Sequence, residues 1–128
     1  GRKGAATMTR SRDVRPYLED IADSIARIRR YTDGLGMDDF LHDDVLQDAV
    51  IRRIEIVGEA VGRLPESLKA RYPEIPWRDI KDMRNKLIHD YGHVDPQLVW
   101  VVVQDELPAL DTQICQVIRE SSGFMPNS

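Results

Sequence analysis

The sequence predicts an all-α fold, an up-and-down four-helix bundle with extra short helical turns. Apolar residues recur at three- and four-residue intervals along several long segments. Proline and glycine cluster between these segments, where helices are expected to end. The chain has 128 residues, of which 41% are hydrophobic and 31% are charged. This length and composition predict one domain with a single compact core.

The first predicted helix begins near Val14, with Asp13 as a candidate N-cap, and is expected to end at the two glycines of Thr32–Gly36. Its apolar positions are Val14, Tyr17, Leu18, Ile21, Ile25 and Ile28. Because residues three and four apart share one face of a helix, this face is expected to be buried.

The second predicted helix begins at Asp43 or Asp44 and extends to about Leu64. Its apolar positions are close to a heptad spacing, and they are Leu46, Val50, Ile54, Val57, Val61 and Leu64. Pro65 then opens a short turn of helix that is expected to continue to Tyr72.

The third predicted helix is long, beginning at Pro76 and ending near Gly92. Proline suits the first helical position, where its missing N–H leaves no bond unmade. The side chains expected to face the core are Trp77, Ile80, Leu87 and Ile88.

The last predicted helix is opened by Asp95 as a cap and Pro96 as its first residue. The run Leu98–Val103 favours a strand by propensity alone. Helical spacing nevertheless continues along Val99, Val103, Leu107, Leu110, Ile114 and Val117. Pro108 is expected to kink this helix, because it cannot donate a hydrogen bond to the carbonyl of Gln104.

The ends of the chain and its composition set the expected domain limits and compartment. Residues 1–7 precede the first methionine and are expected to be an expression-derived remnant, leaving residues 8–128 as a single domain with a polar tail over 121–128. The single cysteine, Cys115, excludes an internal disulfide and is interpreted as a small packing residue. The longest apolar run has six residues, far short of the roughly 20 that span a membrane. A cytoplasmic protein without membrane contact is expected.

Charge is distributed unevenly along the chain. The formal net charge of −4 argues against a protein that binds nucleic acid through bulk positive charge. Six aspartates and no lysine or arginine lie between Asp33 and Asp48, whereas the third helix carries Arg78, Lys81, Arg84 and Lys86. A local basic site is one interpretation of that helix; a solvated face with pairs such as Asp82–Lys86 is the other.

The segment from Arg84 to Gly92 carries the residues suited to chemistry. Histidine titrates near neutrality and can move a proton to or from a ribose hydroxyl, and arginine matches two phosphate oxygens. Arg84 and His89 therefore suit phosphodiester cleavage without a metal, with Asn85 as a supporting polar residue. About 140° of rotation would separate Arg84 from His89 on an ideal helix. Two copies facing each other across a twofold axis could complete one cleft.

The spacing also fits ordinary surface residues on a helix, and this alternative stays open. His42 and His93 are expected in loops or turns, and no His-x-x-x-His or His-Glu-x-x-His pattern predicts a zinc site. No glycine-rich phosphate loop is present, and no cofactor is expected.

The stretch Arg84–Tyr91 resembles the R-x4-H-x-Y motif of the HepT-like toxins, a branch of the HEPN domain superfamily. The tryptophan-led run Trp77–Tyr91 is similar to the approach to that motif in the family. Further similar segments are Arg52–Ala60, Val94–Asp95, Val99–Trp100 and Leu107–Leu110. The resemblance extends in order from Val14 to Glu120, almost the whole domain.

The resemblance implies a homodimeric helical bundle that acts as a metal-independent endoribonuclease. Such proteins are usually the toxin of a toxin–antitoxin pair whose partner is a minimal nucleotidyltransferase. At the matching positions, Arg84 and His89 would be the catalytic pair, Asn85 the accompanying polar residue, and Tyr91 the hydroxyl that the partner adenylylates to silence the toxin. Two alternatives are a catalytically idle HEPN subunit that binds nucleotide or regulates a nucleotidyltransferase, and a helical dimerisation domain without a ligand.

Overall fold

The computed structural model describes residues 14–89 and 93–124, and these ranges are almost entirely helical. The helices are α1 (Val14–Thr32), α2 (Met37–Leu41), α3 (Asp44–Arg63), α4 (Glu66–Ala70), α5 (Trp77–Lys81), α6 (Met83–Leu87), α7 (Pro96–Val101) and α8 (Leu107–Phe124). A two-residue antiparallel ladder pairs β1 (Ile88–His89) with β2 (His93–Val94), and a π-helical turn, Val102–Glu106, joins α7 to α8. The all-α prediction is confirmed. None of the helices in the described ranges is long and apolar enough to cross a membrane.

The end of α1 and the start of α3 follow the predicted glycine and capping chemistry, whereas Asp13, the predicted N-cap of α1, lies outside the described residues. The turn after α1 contains Gly34 with a φ of 77°, a left-handed conformation that favours glycine. Asp43 caps α3 by accepting a hydrogen bond from the Leu46 amide at 3.0 Å. The short helix α2 lies in the aspartate-rich segment Asp33–Asp48, and the carboxylate of Asp39 accepts from the Gly36 amide at 2.9 Å. Capping is thus one role of the aspartates in this segment.

The core forms where α1 packs against α3 and α8. The predicted apolar positions of α1, α3 and the last helix are buried or packed against the core. Phe40 of α2 lies 5.5 Å from Trp100 of α7 between ring centroids, which attaches the short helix α2 to the end of the core. The helical spacing of Leu98–Val103 therefore prevailed over its strand propensity because it buries Val99 and Val103.

The prediction of one long third helix is wrong. The segment forms two short helices, α5 and α6, with Asp82 between them, and α6 ends at Leu87. The carbonyl of Leu87, which a continuing helix would bond to the amide of residue 91, instead accepts from the amide of Asp95 at 2.8 Å. This bond and the β1–β2 ladder give hydrogen-bond partners to backbone groups at and just beyond the end of α6.

Two expectations that depended on a continuous third helix change with it. The rotation of about 140° between Arg84 and His89 does not apply, because His89 lies beyond the end of α6. The predicted Asp82–Lys86 pair is replaced by one between Lys86 and Asp79, with Nζ and Oδ1 3.6 Å apart. Both α5 and α6 still bury two apolar residues each, Trp77 and Ile80 in α5 and Met83 and Leu87 in α6.

The last helix begins as predicted, with Asp95 accepting from the Gln97 amide at 2.9 Å and Pro96 in the first turn. The irregularity expected at Pro108 takes the form of the π-helical turn just before it. In this wider turn the hydrogen bonds reach one residue further along the chain, so the helix accommodates the missing proline N–H and continues. Helix α8 extends to Phe124, into the segment predicted as a polar tail.

Candidate active site

A cleft with a volume of about 470 Å³ lies between α3 and the α5–α6 segment. Its lining residues are Glu55, Gly58, Glu59 and Gly62 from α3, and Lys81, Arg84 and Asn85 from the other side. The residues from α3 recur at three- and four-residue intervals, so they form one stripe along that helix. The cleft therefore combines two carboxylates, two cations and an amide above a glycine-lined helix face.

Glycine at position 58 allows the end of α5 to approach α3 closely. A Cβ atom at Gly58 would lie 3.1 Å from the backbone oxygen of Lys81, a tight contact with an atom that cannot move alone. A Cβ atom at Gly62 would instead meet the flexible side chain of Lys81, at 3.6 Å from Cε. The two glycines thus differ: Gly58 sets the helix separation, and Gly62 leaves room under a side chain.

This difference predicts unequal effects for two matched substitutions. Gly62→Ala is expected to stabilise the fold by about 0.5–1 kcal/mol, since alanine favours helix over glycine. Gly58→Ala is expected to be less stable than Gly62→Ala by about 1–3 kcal/mol, because the methyl group overpacks against the α5 backbone. Urea unfolding curves compare the two free energies of unfolding. Equal stabilisation by both alanines would contradict the close-approach interpretation.

Arg84 lies on α6 and is paired with Glu55 of α3. Its Nε donates to Oε2 of Glu55 at 2.6 Å, with 47% of the arginine side chain and 28% of the glutamate side chain exposed. The other oxygen of Glu55 lies 3.7 Å from a terminal nitrogen of Arg52, which also lies 4.0 Å from Oε1 of Glu59. Glu55 thus links the guanidinium groups of two helices.

The pairing through Nε orients the guanidinium of Arg84. Within the described residues, no side-chain acceptor bonds the two terminal nitrogens of Arg84. Those nitrogens form the edge of the fork that matches two phosphate oxygens. The arrangement can therefore present a cationic, bidentate donor to an oxyanion while the salt bridge to Glu55 persists.

The predicted site residues are distributed over one helix and the segment that follows it. Arg84 and Asn85 lie in the same cleft. His89 belongs to β1, two residues beyond α6, and its backbone pairs with that of His93. His93, expected in a turn, thus occupies the ladder position opposite His89. Tyr91 lies outside the described residues.

Sequence reasoning missed the importance of Glu55 and Lys81. Glu55 and Glu59 lie one turn apart on α3, but the contact of Glu55 with Arg84 depends on how α3 meets α6. Lys81 was counted only as part of a basic face. The spacing Glu55–Gly58–Glu59–Gly62 was the available pattern, since it places two carboxylates and two glycines on one face.

Two further residues behave as the sequence predicted. Cys115 is half-buried, and burial together with Asp111, whose Oδ1 lies 3.7 Å from Sγ, raises the pKa of its thiol. A raised pKa disfavours the thiolate, which agrees with a packing residue. His42 is exposed, and its Nδ1 lies 2.7 Å from the carbonyl oxygen of Asp38.

Comparison with known proteins identifies similar sequences over most of the chain. The family model described as "Ribonuclease HepT-like" matches residues 21–117. A protein named "Probable ribonuclease HepT" from Thermococcus cleftensis is 46% identical over 99 residues, covering 77% of this chain and 90% of the relative. A "Putative RNase" from Methanocaldococcus jannaschii is 37% identical over 117 residues, covering 91% of this chain and 97% of the relative.

A third relative is longer than this chain. A protein named "Gamma-glutamylcyclotransferase and putative RNase", also from Methanocaldococcus jannaschii, is 44% identical over 109 residues. The alignment covers 85% of this chain but only 49% of that relative, so the chain spans about half its length. No solved structure matches the chain.

Proposed function

Because this chain belongs to the HepT-like ribonuclease family, we propose that it is a metal-independent endoribonuclease. The observation that carries the proposal is the placement of Arg84 and Asn85 in one cleft, with Glu55 holding the guanidinium. His89 follows five residues after Arg84, the spacing of the family motif. The names of the relatives support the same reaction class.

In the proposed reaction the 2′-hydroxyl of a ribose attacks the adjacent phosphorus. The bond from phosphorus to the 2′-oxygen forms as the bond to the 5′-oxygen of the next nucleotide breaks, leaving a 2′,3′-cyclic phosphate and a 5′-hydroxyl. His89 accepts the proton of the 2′-hydroxyl or supplies one to the leaving 5′-oxygen. The terminal nitrogens of Arg84 neutralise the charge that develops on the non-bridging oxygens.

The direct test is cleavage of a single-stranded RNA by purified protein in the presence of EDTA. We expect products with 2′,3′-cyclic phosphate ends, and no cleavage of the same sequence made as DNA, which lacks the nucleophile. Nucleotide binding without any RNA cleavage would instead favour the idle HEPN subunit. Cleavage that requires added magnesium would contradict the metal-independent mechanism.

We also propose that the active form is a homodimer whose two motif segments contribute to a shared cleft. With the third helix ending at Leu87, this proposal is supported by the family resemblance and not by helical rotation. In an isologous dimer the two copies of a segment near the axis face each other. Each protomer could then supply groups that its own chain does not bring together.

The dimer proposal predicts both an oligomeric state and complementation. Light scattering at micromolar concentration is expected to give twice the mass of the chain. Mixing inactive Arg84→Ala and His89→Ala proteins after co-refolding is expected to restore about a quarter of wild-type activity, since half of the dimers would hold one intact composite site. A monomer in solution, or no recovery in confirmed heterodimers, would contradict a composite site.

The biological role that we propose is that of a toxin in the cytoplasm. Its partner would be a minimal nucleotidyltransferase that adenylylates Tyr91, adding a negatively charged phosphate close in sequence to His89 and Arg84. That charge would compete with the RNA phosphate for the same donors. The family resemblance of the Arg84–Tyr91 motif supports this role.

A further inference from the structure

Lys81 occupies an unusual position in the cleft. It is the last residue of α5, and its aliphatic stem passes over Gly62, where a Cβ atom would lie 3.6 Å from Cε and 4.0 Å from Cδ. The residue is exposed, and its ammonium has no carboxylate within 4.0 Å in the described part of the chain. This cation thus lines the cleft without an ion-pair partner there.

The charges around the cleft show why Lys81 matters. Both carboxylates that line the cleft are paired with arginines, Glu55 with Arg84 and Arg52, and Glu59 with Arg52. Counting Lys81 with Arg84 and Arg52, three cations face two carboxylates, and Lys81 is the cation that has no ion-pair partner among the described residues. An anion entering the cleft would therefore meet Lys81 without having to displace a carboxylate from it.

We propose that Lys81 binds a backbone phosphate of the RNA strand next to the phosphate that Arg84 contacts. The inference rests on the proposed ribonuclease function and adds a substrate-binding residue to it. An ammonium group on a flexible stem acts as a point charge that can follow a phosphate, whereas the fork of Arg84 is fixed by Glu55. Lys81 accordingly contributes to substrate binding and Arg84 to the reacting centre.

The size of the cleft and the glycines of α3 support the same assignment. Gly58 and Gly62 let the backbone and the aliphatic stem of Lys81 lie against α3, and the cleft of about 470 Å³ beside them offers space to a sugar–phosphate strand. The two glutamates of this face form ion pairs with arginines. They therefore repel a polyanion less than free carboxylates would. Room and a free cation thus coincide at Lys81.

The experiment measures binding separately from cleavage. A fluorescent single-stranded RNA with 2′-O-methyl groups throughout cannot be cut by 2′-hydroxyl attack, and its affinity is followed by anisotropy over a range of NaCl concentrations. Lys81→Gln is expected to weaken binding about three- to tenfold and to reduce the slope of log K against log salt by about 0.7, the loss of one phosphate contact. Lys81→Arg keeps the charge and is expected to retain both values.

Arg30→Gln is the matched control. Arg30 is exposed on α1 and has no ion-pair partner among the described residues, so its loss changes the net charge equally. The control is expected to leave the salt slope unchanged. On a cleavable RNA, Lys81→Gln is expected to raise KM by the same factor as Kd with kcat within about twofold.

The outcomes separate the two proposals. If wild-type protein cuts RNA but Lys81→Gln and Arg30→Gln have the same affinity and slope, the role of Lys81 is overturned and the ribonuclease function stands. If wild-type protein binds the methylated RNA through Lys81 but never cuts a cleavable one, the phosphate site stands and the catalytic function falls. A drop in kcat with unchanged KM would also overturn a binding role.

Discussion

Replacing Arg84 or His89 by alanine is expected to abolish RNA cleavage and leave the helical fold intact. Loss of a general acid or base lowers a rate by about 10²–10⁴-fold, and loss of a donor to the developing oxyanion by about 10²–10³-fold. About half of the Arg84 side chain is exposed, so its replacement by alanine removes no core packing. Initial rates on a fluorogenic RNA measure the effect, and growth of cells expressing each variant reports the same loss as relief of toxicity.

Lys86→Ala provides the control for Arg84→Ala. Lys86 lies on the same short helix and is exposed and paired with a carboxylate, Asp79, but it does not line the cleft. We expect near wild-type activity from it and unchanged circular dichroism from all three variants. Full activity of either Arg84→Ala or His89→Ala would overturn the catalytic assignment, and equal losses in Lys86→Ala would indicate a general charge effect.

Replacing Tyr91 by phenylalanine is expected to produce a toxin that its nucleotidyltransferase cannot silence. The substitution removes only the hydroxyl that would accept AMP. When co-expressed with a minimal nucleotidyltransferase of the proposed partner class, wild-type protein should gain the mass of AMP on a peptide containing Tyr91 and lose ribonuclease activity. Tyr91→Phe should gain no mass and still arrest growth.

Tyr72→Phe serves as the control for the loss of a tyrosine hydroxyl elsewhere. Tyr72 is buried and donates to Glu120 at 2.6 Å, so it is not available as an acceptor of AMP. This variant should be adenylylated and silenced like wild type. The assignment of Tyr91 as the regulatory site would be wrong if the modification mapped to another residue. It would also be wrong if Tyr91→Phe were silenced to the same extent as wild type.

The sequence predicted the fold well where the prediction depended on local chemistry and periodicity. The end of α1 and the start of α3 follow from a glycine with positive φ and an aspartate cap, both of which act within a few residues. The last helix followed from the spacing of six apolar residues, which outweighed the strand propensity of Leu98–Val103. The predicted irregularity near Pro108 corresponds to the π-helical turn that precedes it, after which the helix continues.

The sequence could not predict where the third helix ends. Nothing in the local pattern from Pro76 to Gly92 indicates a break at Asp82 or an end at Leu87. That end depends on the amide of Asp95, eight residues further along, which takes the carbonyl of Leu87 that a helix would have used. Such a hydrogen bond between separate segments forms only when the chain packs. A prediction made from periodicity alone therefore places the end of the helix too late in the sequence.

The sequence by itself determined which residues suit RNA chemistry, since Arg84, Asn85 and His89 bear that chemistry whatever the fold, and it determined the family. The tertiary structure alone decided that Glu55 holds the Nε of Arg84 and that Lys81 lines the same cleft with no ion-pair partner in the described ranges. Both depend on how closely α3 approaches α5 and α6, which Gly58 permits. A distance between two helices is a property of packed surfaces, and no spacing within one segment encodes it.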